Sequence, residues 1–267
     1  MNELYRCIGI SKQAAHQYAN RQVVFDDKVM RLVKEAEALR KAHPGCGVEK
    51  MYHVLTPGFI GRDRFVEAFM GLGFRVRRQK NYRRTTFAGR QHYPNLIKGM
   101  TINRAGLIWQ SDITYIHVNG RFYYAVFIID IYSKQIVGYQ VSDHMRTTAN
   151  VKALNMAFKW HKPPKIHHSD RGGQYLSSEY TKLLKDNGCA ISMSQSAQDN
   201  AYAERINRTI KEEYLEHWKP KNFKELRLCL KRAVSNYNSV RPHWNLRLHT
   251  PDQHKSVKQT ITIFDNN

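Results

Sequence analysis

Residues 107–133, LIWQSDITYIHVNGRFYYAVFIIDIYS, hold two long runs of aromatic and β-branched residues joined by one Asn119-Gly120 step. Such runs favour strands, and Asn-Gly between them signals a tight hairpin turn, whose central positions need positive φ. Asp112 lies inside the first run, flanked by Trp109, Ile113 and Tyr115. A carboxylate in a central, largely apolar strand is costly unless it is paired or bound to a metal.

The periodicity beyond the hairpin predicts a mixed sheet. QIVGYQVSD reads as a third strand, and residues 147–161 as an amphipathic helix stopped by Pro163 and Pro164. KIHHS is a fourth strand, SSEYTKLLKDNG a helix, CAISMS a fifth strand and QSAQDN a polar loop. Helices follow over 201–218 and 222–238. Before Leu107 the period is helical, with helices over 26–43, 48–55 and 61–73 separated by Pro-Gly turns. Asp26 and Asp27 stand at the expected start of the first, where the helix dipole favours anions. Three short helices with tight turns suit a helix-turn-helix, whose last helix would enter the major groove of DNA.

Charge narrows the choice of partner. The chain carries 43 Lys plus Arg against 22 Asp plus Glu, a formal net charge of +21. Nucleic acid is the commonest partner for so basic a soluble chain. The segment RVRRQKNYRRTTFAGR (75–90) has seven basic residues and no acid, with Tyr82 and Phe87 among them. It is expected to be a linker that tracks a phosphate backbone through Arg77, Arg78, Lys80, Arg83 and Arg84. No run of eighteen apolar residues is present, so no membrane span is expected. The N-terminal stretch MNELYRCIGISKQ lacks a secretory apolar region, and the four cysteines form no C-x-x-C pair, which fits a reducing cytoplasm.

Two further acids accompany Asp112. Asp170 ends the fourth strand in KIHHSDRGGQY, and Glu204 falls in the first turn of the helix from Ala201. If the first and fourth strands are neighbours, the aspartates come side by side and the helix brings the glutamate to them. Clustered carboxylates repel, so they make sense around cations, and hard oxygen donors suit Mg²⁺ or Mn²⁺. Two such ions about 3.5–4 Å apart can activate a hydroxyl and stabilise the leaving oxygen at phosphorus. Ser177 and Ser178 are available to cap the next helix, which leaves Asp170 free to act as a strand-end ligand. Gly172 and Gly173 let the backbone turn close to a substrate.

WQSDITYI, HSDRGGQY and DNAYAERINRTIKEEY, followed by NYNSVRPHWNLRLHTPDQ, resemble the catalytic region of the second-reading-frame (OrfB) products of the insertion-sequence-three family of transposases. The resemblance runs from about Trp109 to His254, and residues 28–75 resemble that family's helix-turn-helix. It implies an α/β, RNase H-like mixed five-stranded sheet flanked by helices, preceded by a small helical domain. The expected divisions are a helical DNA-binding region over 1–75, a basic linker over 76–105, an integrase catalytic core over 106–258 and a tail over 259–267. It also implies a DDE triad of Asp112, Asp170 and Glu204 that holds two Mg²⁺ or Mn²⁺ ions. The interval 171–203 is two residues shorter than the family's most frequent spacing; the shortening falls in the loop SQSAQDN.

Supporting residues carry plainer alternatives. Arg208 and Lys211 share a helix face with Glu204 and would meet DNA phosphates, or else pair with Glu212 or Glu213 or stand in solvent. His168 shares its strand face with Asp170, as a residue supporting the metal ligands or as a packed strand residue. Asp130 reads as structural, and RPHWNL (241–246) as a structural seal with DNA contact. The resemblance implies a DDE transposase that cleaves element ends and joins the 3′-hydroxyls to target DNA. It further implies a homo-oligomer on DNA, an upstream-frame product or fusion as partner, and a bacterial cytoplasmic, nucleoid-associated location. A nuclease of the same fold, or a DNA-binding regulator with an idle centre, are the alternatives.

Overall fold

The computed structural model describes residues 9, 11–76, 93–254 and 261–263. These fall into two units, one within residues 1–42 and 47–75, the other formed by 43–46 and the chain from 76 onward.

In the first unit, α1 spans Lys12–Ala42 and so begins well before the expected residue 26. The stretch KQAAHQYANRQ contains neither Pro nor Gly and is rich in Ala and Gln, so propensity carries the helix back to a cap at Ser11. The Ser11 hydroxyl oxygen accepts the Ala14 N–H at 3.1 Å. Asp26 and Asp27 therefore sit in mid-helix, where they accept hydrogen bonds from Gln22 and Arg31 at 2.8 and 2.7 Å. Helices α2 (Val48–Leu55) and α3 (Arg62–Gly71) lie where the periodicity puts them. Phe65 and Phe69, one turn apart on α3, are fully buried and stack with ring centroids 4.1 Å apart.

In the second unit Asn119 and Gly120 take φ of 45° and 80°, closing the hairpin of β1 (Ile108–Val118) and β2 (Arg121–Asp130). Strand β3 (Ile136–Ser142) pairs antiparallel with β2. Helix α4 (Thr147–Trp160) leads to β4 (Ile166–Ser169), and α5 (Ser178–Asp186) to β5 (Ala190–Met193). The sheet order is β3-β2-β1-β4-β5, with β4 parallel to both neighbours. This is the mixed five-stranded sheet expected, and β1 is its central strand. Alternation sorts the side chains: Trp109, Val126 and Ile128 pack under α4, while Ile116, Ala125 and Phe127 pack on the opposite face. Gly138 on β3 lets α4 approach, because a Cβ there would overlap the Ala153 carbonyl oxygen.

That opposite face is covered by α6 (Ala201–Ile210) and α7 (Phe223–Ser239). The helix expected over 201–218 is helical throughout, but residues 211–215 form a wider π turn. There the Glu213 carbonyl accepts the Gly45 N–H at 2.7 Å, an outside donor to a helix carbonyl. The loop 195–200 contains a 3₁₀ turn over Ala197–Asn200. Short pieces at Gly173–Leu176 and a two-residue ribbon pairing Thr101–Ile102 with Ile261–Thr262 were not anticipated.

Candidate active site

The parallel pairing of β1 with β4 ends at Ser111 opposite Ser169, so the next residues of the two strands are Asp112 and Asp170. Both stand half-buried at the end of the paired ladder. Gly172 N–H donates to Asp170 Oδ1 at 3.0 Å. Gly172 has an ordinary φ of −62°, and a Cβ there would lie 3.0 Å from Asp170 Oδ1, a tight contact that would press on the carboxylate. Ser177 Oγ accepts the Tyr180 N–H at 3.3 Å, so α5 has its own cap and leaves Asp170 to the site.

Glu204 arrives on a helix moored to β1. The buried Gln110 donates to the Asp199 carbonyl at 2.7 Å and accepts the Ala203 N–H at 3.3 Å. Asn200 Nδ2 donates to the Ser111 carbonyl at 3.1 Å, and Asn207 Nδ2 to Asp112 Oδ2 at 2.6 Å. These bonds hold the first turns of α6 over the β1–β4 end, with Glu204 itself exposed.

The three acids act on one another electrically. Burial pushes Asp112 up to about 8, and the charges of Asp170 and Glu204 add to the rise. Burial also raises Asp170, against the Gly172 hydrogen bond. Glu204 is raised by partial burial of its carboxyl, Arg208 pulls the other way, and Asp170 adds to the rise. Acids that raise one another's pKa are acids that favour a cation between them. Their hard oxygen donors fit Mg²⁺ or Mn²⁺ in kind. Among the described residues, however, no group of three His, Cys, Asp or Glu is already closed around one point.

Lys211 lies beside Asp112: burial lowers its pKa and the Asp112 charge opposes that. Glu213, its alternative partner, is taken by Arg241 in a two-pronged ion pair at 2.6 Å on both arms. That pair gives Arg241 of RPHWNL a structural partner and leaves Glu213 committed to it. His168 is fully buried, with Nδ1 2.8 Å from Ser192 Oγ on β5, and burial lowers it to about 4. Asp130 is structural as expected, accepting from Gly106 N–H at 2.7 Å and Ser133 N–H at 2.8 Å. Arg77, Arg78, Lys80, Arg83 and Arg84 lie outside the described residues. Asn207, Gln110 and Asn200 had gone unnoticed; the one sequence signal was Asn207 at three residues from Glu204, on its helix face.

Residues 102–198 match the family described as integrase core domain, and residues 187–251 match a second family of the same description. A 31 kDa insertion-element IS600 protein of Shigella sonnei is 32% identical over 195 residues, covering 70% of this chain and 72% of that protein. The transposase of insertion sequence IS629, also from Shigella sonnei, is 38% identical over 142 residues, 52% of this chain and 48% of its own length. A chain of the simian T-cell lymphotropic virus intasome is similar in fold at a TM-score of 0.53 and 16% identity, covering 83% of this chain and 74% of that one. No helix among the described residues is long and apolar enough to cross a membrane.

Proposed function

This chain belongs to the insertion-sequence-three family of transposases, with their RNase H-like integrase core, and we propose that it acts as a DDE transposase on DNA. One observation carries the reading: Asp112 and Asp170 follow the last β1–β4 pair side by side, with the Glu204 helix bound to the same strand. The reaction is hydrolysis at the ends of a mobile element, followed by attack of the freed 3′-hydroxyl on a target phosphodiester. A new phosphorus–oxygen bond forms as the target's own 3′-oxygen leaves. Asp112, Asp170 and Glu204 would hold two Mg²⁺ or Mn²⁺ ions, whose chemistry is to activate the attacking oxygen and stabilise the leaving one.

The chain's own groups orient the parts. Asn207 fixes the Asp112 carboxylate, and Gly172 leaves room for the Asp170 loop. Lys211 and Arg208 supply positive charge beside Asp112 and Glu204, where substrate phosphates would enter. The basic linker from Arg77 to Arg84 and the helical unit supply DNA affinity. A homo-oligomer assembled on DNA, an upstream-frame partner and a bacterial cytoplasmic, nucleoid-associated setting belong to the same proposal.

The test is cleavage and strand transfer on DNA carrying the element's ends, with Mg²⁺ present. Asp112→Asn, Asp170→Asn and Glu204→Gln should each abolish both products while DNA binding persists. Activity surviving in both aspartate variants would overturn the reading, and cleavage without joining by the unmodified chain would make it a nuclease.

A further inference from the structure

The β1–β2 hairpin carries an anomaly on the face opposite Asp112. Tyr115 stands directly across from Tyr124, and His117 across from Phe122. Alternation puts all four on one face, beyond the Ile113–Val126 pair that packs in the α4 core. The other face of the same stretch is buried through Ile116, Val118 and Tyr123. A strand face left to solvent ordinarily carries polar residues. Here Phe122 is 50% exposed and the neighbouring Met145 42%. Ring centroids lie 5.1 Å apart for Tyr115–Tyr124 and 5.2 Å for His117–Phe122, and an edge-on Tyr115–Phe122 contact at 6.4 Å joins the two pairs into one aromatic patch.

Two hydrogen bonds link that surface to the residues that follow Asp170. Tyr115 Oη donates to Met145 Sδ at 3.2 Å, and Gln174 Nε2 donates to the Met145 carbonyl at 3.2 Å. Gln174 belongs to the short helical piece Gly173–Leu176 just after Asp170, its Oε1 only 3.2 Å from where a Gly172 Cβ would sit. Exposed Arg121 and Arg146 adjoin Phe122 and Met145, and Asp143, beside His144, is the neighbouring acid.

We propose that this face is a stacking platform for unpaired nucleobases of the DNA whose phosphate lies at Asp112 and Asp170. The inference rests on the transposase reading. Aromatic rings flanked by arginines bind single strands because every base offers a π face and every nucleotide a negative charge. Duplex ends or targets opened beside the reacting phosphate would supply such bases.

The full chain would be titrated with a single-stranded 12-mer containing 2-aminopurine, and with a blunt duplex of equal length. Phe122→Ala and Phe122→Leu should weaken single-strand binding about 5- to 100-fold, the range of one lost base stack, and leave duplex binding unchanged. Phe122→Trp and Tyr115→Phe should retain it. Retention in Phe122→Leu would reduce the face to mere apolar packing and overturn the proposal. So would unaltered binding in Phe122→Ala, or a change confined to the oligomeric state by light scattering, which would make the face a contact between copies of this chain. Stacking intact in a chain that cleaves no DNA would instead count against the transposase reading alone.

Discussion

Asn207 Nδ2 donates to Asp112 Oδ2 at 2.6 Å, tying the helix of Glu204 to the central strand of the sheet. One side chain thus orients one acid and sets the position of another. A carboxylate clamped by an amide donor keeps one oxygen committed, and the Ile113 N–H is a further donor to Asp112.

Removing this tie should cost function more than folding. Asn207→Ala is expected to lower metal affinity or cleavage by about 10- to 100-fold, as losses of groups that orient metal ligands do. A Mg²⁺ titration of cleavage would show the midpoint moving to higher concentration, whereas a general packing defect would lower the maximum without moving it.

Asp112 makes stability depend on pH in a definite direction. Its folded pKa of about 8 lies above its ordinary value of 3.8, so the folded chain holds the proton more tightly. Stability from this group is complete below about pH 4 and declines as pH rises toward 8. Asp112→Asn should therefore melt higher than the unmodified chain at pH 8, by on the order of 5 °C, and the gap should close near pH 4. Adding Mg²⁺ should raise the melting temperature of the unmodified chain alone.

The buried histidines oppose that trend. Burial lowers His167 to about 3 and His168 to about 4, and their rings bond Tyr180 and Ser192. Both are held neutral, so their contribution is complete above pH 6.5 and is lost as pH falls through the folded values. At pH 5 the loss is on the order of 2 kcal/mol for each. Chemical denaturation of His168→Asn between pH 7 and 5 should show a shallower decline than the parent; an identical slope would contradict the assignment.

The Glu213–Arg241 pair offers a stability test remote from the chemistry. Arg241 is 7% exposed, so a lone charge left behind would be uncompensated. Arg241→Ala or Glu213→Ala is expected to cost about 3–5 kcal/mol, and the double variant less than the two together. Urea denaturation of all four chains closes the cycle.

Gly138→Ala tests the seating of α4. The added methyl would overlap the Ala153 carbonyl oxygen and lie 2.9 Å from Ala157 Cβ, forcing helix and strand apart. A loss of about 1–3 kcal/mol is expected from such overpacking, read as a lower denaturation midpoint.

Local chemistry made much of this molecule legible. Asn119-Gly120 could close only one kind of turn, and β1, β2, α2 and α3 stand where period and breaker residues put them. The start of α1 was missed because Asp26 and Asp27 resemble a first turn, and nothing in a short window shows that good helix formers continue upstream to Ser11. The π turn at 211–215 was invisible for another reason: it accompanies a hydrogen bond from Gly45, far away in sequence.

The same division holds at the candidate site. Sequence by itself determined most of the elements, the excess of positive charge and the candidate acids, because propensity, turn geometry and family motifs are written along the chain. Only tertiary structure decided that Asp112 follows Ser111 beside Asp170, that Asn207 meets Asp112, and that Arg241 takes Glu213. It also decided which aromatic face stays exposed among the described residues. Those outcomes depend on which strands pair and which helix faces meet them, and that pairing is set by burial summed over the whole sheet rather than by any local run of residues.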